Sequence, residues 1–192
     1  MSSIAEIQEC TQVSALSQSL AGIFRYSLNM KEPLSTVAME MIHLKNYIYV
    51  MDVRMKNQIR YEFDVEDRVL QDTLPRISIQ PLVENAINHG LKNKKGEKCI
   101  RISAGEEDGC LQICVEDNGV GMTQERIAGV LEGNGAVSEA TSTSIGIINI
   151  HRRMKLLYGE EYGVSITSTP GQGTRLCLRI PREQQKEQNI WN

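Results

Sequence analysis

The chain has very little aromatic surface, with two Phe and one Trp among 192 residues. Sites that stack single-stranded nucleic acid are built from such rings, so that class of function is excluded. Basic charge is not in excess either. At a net charge of −3 the chain sets up no bulk field for nucleic acid or an anionic membrane, and no nucleic-acid partner is expected. No stretch approaches the ~18 consecutive apolar residues of a transmembrane helix. The opening MSSIAEIQEC lacks the basic start and apolar block of a secretory signal, so a cytoplasmic location is expected. Cys10, Cys99, Cys110, Cys114 and Cys177 form no Cys-x-x-Cys pair and sit among apolar neighbours, which predicts scattered reduced thiols with no metal or disulfide role. Repeats and low-complexity tracts are missing too. What remains, 41% hydrophobic and 23% charged, is an ordinary globular composition, long enough for one domain and an accessory segment.

Two kinds of periodicity divide the chain. Leu34, Val37, Met41, Leu44, Ile48, Met51 and Met55 recur in steps of three and four, which draws an apolar seam along one helix. Pro33 stands where its fixed φ suits the first turn of that helix. Val13, Leu16, Leu20 and Ile23 sketch a shorter seam in a preceding helix. Both seams read as the core of a helical bundle, and self-association through it is compatible with that reading. From Ile59 the period changes to two, with Tyr61, Phe63 and Val65 on the same side of a strand. Further strands are expected over 99–104, 111–117, 163–168 and 174–180, and helices over 77–89 and 147–158, with Gly159 as a C-cap. The fold class is therefore α+β, a mixed sheet with helices on one face, preceded by a helical segment. The expected division is 1–57 helical, 58–182 the layered domain and 183–192 a polar tail.

Chemistry concentrates in PLVENAINH at 81–89 and DNGVGM at 117–122. At ~100° per residue Leu82, Val83, Ala86 and Ile87 gather on one helix face, while Glu84, Asn85, Asn88 and His89 form a polar stripe without Lys or Arg. A solvated face and a binding face both fit that stripe. Asp117 continues the inward row Leu111, Ile113, Val115, and a buried carboxylate is costly without donors. It either caps the Asp-Asn-Gly turn or awaits an external donor such as the exocyclic amine of adenine. Gly119 and Gly121 let the backbone approach a ligand closely. The small, polar stretch 123–143 is a candidate lid. After it, Ser144-Ile145-Gly146-Ile147 is read as opening a helix toward phosphates, with Asn149 and Arg153 in reach of the same anion. Thr174, after the 171–173 turn, is placed to offer a hydroxyl toward Asp117.

In this order the residues resemble the ATP-binding domain of two-component sensor histidine kinases, LytS/YesM-type, within the gyrase–Hsp90–kinase–MutL superfamily. The pattern Leu-Gln-Pro-Leu-Val-Glu-Asn-Ala-Ile-x-His-Gly is matched by Ile79 to Gly90, with Ile79 at the leucine. Arg25-Tyr26-Ser27-Leu28, the stretch from Tyr47 to Arg54, and Arg153-Met154-x-Leu156-Leu157-Tyr158-Gly159 look like the same family. The resemblance implies a Bergerat ATP-binding fold, a two-layer α/β sandwich, working with ATP and Mg²⁺. It implies that Asn85 holds the metal and Glu84 assists proton removal at the attacking imidazole. Asn88 and His89 would lie along the phosphates and Asp117 would read adenine beside Gly119 and Gly121. Ser144, Ile145, Gly146, Ile147 and Asn149 would close over the phosphates, and Thr174 would join the Asp117 network. Implied partners are a phosphoacceptor histidine helix and a response regulator, in a homodimeric, membrane-anchored parent.

Three departures stand out. The family's Pro-His-Phe acceptor motif is missing, and His43, His89 and His151 do not match it, so a chain starting after the acceptor helix and unable to phosphorylate itself is expected. Ser144 stands where the family usually has Gly, and Asn88 replaces a frequent lysine. These leave two alternatives, a non-catalytic nucleotide-binding module and an ATPase that hydrolyses ATP to water.

Overall fold

The computed structural model describes residues 2–29, 32–56, 58–132 and 142–182. Helix α1 (Ser2–Leu28) leads into a three-residue strand β1 (Leu34–Thr36) and helix α2 (Val37–Met55). Strands β2 (Ile59–Val65) and β3 (Thr73–Pro75) follow, then helix α3 (Gln80–Asn85), which widens into one π-helical turn over Ala86–Gly90. The long hairpin β4 (Lys98–Glu107) and β5 (Cys110–Asp117) precedes helices α4 (Gln124–Glu132) and α5 (Ser142–Tyr158), and the hairpin β6 (Gly163–Thr169) and β7 (Gly173–Pro181) completes the described chain. The polar tail expected over 183–192 and residues 133–141 of the candidate lid lie outside the described residues.

The α+β expectation holds. Five strands form one mixed sheet in the order β2-β4-β5-β7-β6, parallel between β2 and β4 and antiparallel elsewhere. A parallel pair requires a crossover, and the chain between β2 and β4 supplies it with α3. Alternate residues of the central strands, such as Ile100 and Ile102, Ile113 and Val115, Leu176 and Leu178, turn into the core. Helix α5 meets them with Ile147, Ile150 and Met154, and α3 with Leu82, Val83 and Ile87. The α2 seam joins the same buried cluster through Val37, Met41, Leu44, Ile48 and Met51. In contrast, α1 leaves Val13, Phe24 and Leu28 exposed.

Three expectations need correction. Pro33 does not open α2, because residues 34–36 pair with 73–75 as a short ribbon and Thr36 is the N-cap, its hydroxyl accepting from the Met39 N–H. The helix expected over 77–89 is α-helical only to Asn85, the Leu91 N–H reaching back to the Ala86 carbonyl across the π turn. Cys114 and Cys177 are not free thiols. They face each other in the β5–β7 register with Cα atoms 4.2 Å apart and are disulfide-bonded. Register decides that pairing, and spacing along one strand carries no trace of it.

Candidate functional site

The site begins with how α3 is anchored. The turn ahead of it puts Ile77 at φ 56°, a region a β-branched residue enters only when its surroundings impose it. Here the buried Glu40 carboxylate, from α2, accepts from the N–H groups of Ile77, Ser78 and Ile79 at 2.7, 2.9 and 3.2 Å. The Tyr26 hydroxyl donates to the same carboxylate. From the other side Arg153 of α5 donates to the Arg76 carbonyl at 2.9 Å and to Ser78 Oγ at 2.7 Å. Arg153 is thus committed to this turn and does not share an anion with Asn149, which is exposed. Burial pulls its guanidinium below the ordinary arginine range.

On α3 the expected stripe divides. Asn85 is buried at 7% exposure, Glu84 and His89 are half-buried, and Asn88 points to solvent. Glu84 Oε1 accepts from Gln80 Nε2 at 2.6 Å, one turn back on the same helix. Burial lowers the affinity of His89 for a proton, and the nearby charges of Arg126 and Lys92 act in the same direction, which leaves a neutral imidazole at pH 7.

The π turn delivers Gly90 onto Asp117. A Cβ on Gly90 would lie 2.5 Å from the Asp117 carboxylate, and one on Gly119 would lie 2.1 Å from the Gly90 carbonyl oxygen. Gly173, at φ 104°, sits against the Asp117 carbonyl, where a Cβ would come within 1.9 Å. Gly90 and Gly119 thus close on the carboxylate, and Gly173 packs on the backbone of the same residue. Gly121, at φ 69°, packs on the Thr169 carbonyl, so the glycines of DNGVGM first serve backbone packing. Asn118 is likewise structural, its side chain accepting from the Cys99 N–H and donating to the Glu97 carbonyl.

Asp117 is 6% exposed, and burial pushes its carboxyl up to about 6. The N–H groups of Gly119, at 2.8 Å, and of Thr174 offset part of that rise, as does the charge of Lys94. The Thr174 hydroxyl does not turn its proton to Asp117. Ser168 Oγ donates to the Gly173 carbonyl at 2.7 Å, so in its 2.9 Å contact with Thr174 Oγ1 the threonine must be the donor. Ser168 also accepts from the Met122 N–H at 2.8 Å, which ties the DNGVGM loop to the β6–β7 hairpin.

The segment expected on the phosphate side lies at the start of α5. Helix α5 starts at Ser142, two residues ahead of Ser144. Ser144 and Ile145 fall within the first turn, whose N–H groups have no partner inside the helix, and Gly146 lies beyond it. A Cβ on Gly146 would meet Pro81 at 3.3 Å, so this glycine seats α5 on α3. Ile147 is in the core, on the Ile147–Ile150–Met154 seam, and lines no open site.

Sequence reasoning passed over Gly90, Gly173, Ser168 and the cations Lys92, Lys94 and Arg126. The run Lys92-Asn93-Lys94-Lys95 directly after Gly90 was the available signal for the charges. A cavity of about 520 Å³ opens between α1 and α2 beside Tyr26, Met39, Ile42, His43 and Arg76, away from Asn85 and Asp117.

The chain is similar to known proteins in sequence and in fold. Residues 72–184 match the family described as histidine kinase-, DNA gyrase B-, and HSP90-like ATPase, and residues 1–59 match the histidine kinase family. The chain is 33% identical to the sensor histidine kinase YesM of Bacillus subtilis over 93% of its own length and 29% of that protein. It is also 33% identical to the sensor histidine kinase YpdA of Escherichia coli, over 85% of this chain and 28% of the relative. It thus spans about three tenths of the length of the curated relatives it matches. In fold it is similar to the histidine kinase domain of the Erythrobacter litoralis EL346 blue-light activated histidine kinase, with TM-score 0.55 and 15% identity over 91% of this chain and 76% of that one. The catalytic domain of histidine kinase ThkA gives TM-score 0.57 at 14% identity, covering 79% of this chain and 99% of that one. Because the family match covers residues 72–184, more than half of its length, the chain belongs to the histidine kinase-, DNA gyrase B- and HSP90-like ATPase family.

Proposed function

We propose that this chain is the ATP-binding catalytic part of a sensor histidine kinase, passing the γ-phosphoryl group of ATP to a histidine on a helix outside the chain, for relay to a response regulator. The observation that carries the reading is Asp117, a buried carboxylate closed in by Gly90 and Gly119 and met, among the described residues, by the backbone N–H groups of Gly119 and Thr174. An acid held this way has acceptor capacity to spare, which suits the exocyclic amine of adenine. Gly119 and Gly121 then line the base, and Thr174 holds the acid through its N–H.

Asn85 supplies a buried amide oxygen on the facing helix. Among the described residues no three His, Cys, Asp or Glu side chains converge as a metal site. A hard cation such as Mg²⁺ prefers oxygen donors, so Asn85 is the residue that would hold it. Mg²⁺ bound there would neutralise phosphate charge. Glu84 takes the proton of the attacking imidazole. His89, Asn88 and the first-turn N–H groups at Ser144 and Ile145 face the phosphates, and Lys92 and Arg126 supply the positive charge that Asn88 lacks.

The chain's own histidines are otherwise engaged. His43 contacts Gln80, His151 Nδ1 accepts from the Val164 N–H, and His89 belongs to the site. The acceptor therefore comes from elsewhere. In the parent, residues 1–57 act as the remainder of the dimerisation region, with the exposed Val13, Phe24 and Leu28 of α1 facing a second copy, and 58–182 act as the catalytic unit. No helix among the described residues is long and apolar enough to cross a membrane. The proposal places this part on the cytoplasmic side of a membrane-anchored parent.

Titration calorimetry with ATP and Mg²⁺ tests the reading. Binding that is lost in Asp117→Ala, together with no acid-labile phosphohistidine on the chain after incubation with labelled ATP, is the expected pair of results. No affinity for ATP or ADP would overturn it.

A further inference from the structure

Glu84 is held from a helix other than its own. Gln80 Nε2 donates to Glu84 Oε1 at 2.6 Å, and Gln80 Oε1 lies 2.6 Å from His43 Nε2 on α2. A carboxylate only accepts, so Gln80 must turn its NH₂ group to Glu84 and its carbonyl to His43, which fixes the imidazole tautomer with the proton on Nε2. One turn along α2, Tyr47 neighbours Glu84, whose charge adds to burial in raising the tyrosine hydroxyl above its ordinary range. His43 and Tyr47 are i and i+4, so one helix face addresses a single carboxylate twice, once directly and once through Gln80.

The burial of His43 is costly if its only task is to fill space. It is 2% exposed and its Nδ1 has no hydrogen-bond partner among the described residues, where a Leu or Met would carry no such loss. On its far side it meets α1. The Tyr26 ring stacks on His43 with centroids 4.3 Å apart and planes at 23°. Tyr26 is itself held through the Glu40 carboxylate and by Arg76, whose guanidinium sits 3.9 Å from the ring centroid. A continuous run of contacts therefore leads from α1 through Tyr26, His43 and Gln80 to Glu84.

We propose that His43 and Tyr47 are positioning residues for Glu84, and that the stacking of Tyr26 on His43 transmits the seating of α1 on α2 to the Glu84 carboxylate. The proposal rests on Glu84 acting in phosphoryl transfer. It predicts a catalytic acid oriented by the packing of the helical segment, so a shift of α1 changes turnover without changing the nucleotide pocket.

The test uses the full chain, ATP with Mg²⁺, and a helical peptide carrying a single histidine as acceptor. Turnover is followed with γ-labelled ATP and affinity by calorimetry. His43→Phe and Tyr47→Phe should each lower kcat at least tenfold and leave the ATP Kd within twofold, and both losses should vanish in a Glu84→Gln background. His43→Gln, which keeps a donor for the Gln80 carbonyl, should restore most of the rate. Tyr26→Leu, distant from the nucleotide, should lower kcat severalfold and shift the Glu84 side-chain carboxyl ¹³C resonance, a readout that needs no turnover. Affinity falling in step with kcat, losses that persist without Glu84, or a Glu84 resonance unmoved by Tyr26→Leu would each overturn the proposal. A chain that binds no ATP, or turns over equally well as Glu84→Gln, would instead remove the functional reading beneath it.

Discussion

Two buried carboxylates face opposite ends of α3, and their surroundings differ in kind. Glu40 is 1% exposed and meets three backbone N–H groups and the Tyr26 hydroxyl. Asp117 is 6% exposed and meets two backbone N–H groups, with its carboxyl pushed up to about 6. The first acid is satisfied within the fold and fastens the turn that starts the helix. The second meets fewer donors and is closed in by Gly90 and Gly119. An acid met by fewer donors than its neighbour is the better fit for an outside donor, which is the role proposed for Asp117.

Replacing each acid separates the two roles. Glu40→Ala strands three backbone donors and a hydroxyl, and should cost about 3–5 kcal/mol in urea unfolding, with Glu40→Gln recovering part of it. Gly119→Ala places a methyl against the Gly90 carbonyl, so a loss of about 1–3 kcal/mol and of ATP binding in calorimetry is expected. Asp117→Asn should do the reverse for the empty protein, stabilising it by roughly 1–3 kcal/mol at pH 7.5 while weakening ATP binding at least tenfold.

The pH dependence of Asp117 follows from the raised carboxyl. Below its ordinary 3.8 both folded and unfolded chains are protonated. Between there and about 6 only the folded chain keeps the proton, so stability falls as pH rises through that window and is flat above it. Comparing melts of the native chain and Asp117→Asn at pH 5 and 7.5 checks the sign: the difference should grow at the higher pH. The smallest effect concerns the turn that Glu40 holds. Ile77→Gly removes a β-branched residue from φ 56° and should raise stability by about 1 kcal/mol, an increase that a thermal melt resolves.

Long elements with a clear period were legible before any coordinates. The alternation of Leu111, Ile113, Val115 and Asp117 gave both β5 and the inward direction of its acid, and the α2 seam gave its buried face. Features set by contacts between distant segments were not legible. The three-residue strands β1 and β3 are too short to carry a period, so Pro33 was read as a helix start and Thr36 as nothing in particular. The π turn depends on Gly90 reaching Asp117, a tertiary demand that local propensity does not encode. Arg153 was read toward an anion because its spacing from Asn149 allowed it, while the Arg76–Ser78 turn that occupies it lies far away in sequence. At the site itself Glu84, Asn85 and Asp117 were legible as chemistry out of place, and Ser168 was hidden among ordinary strand hydroxyls.

The bond between Cys114 and Cys177 closes a covalent ring that contains α4, α5 and β6. A protease that nicks the backbone once anywhere inside that ring would leave two polypeptides still joined, migrating as one band until a reductant is added.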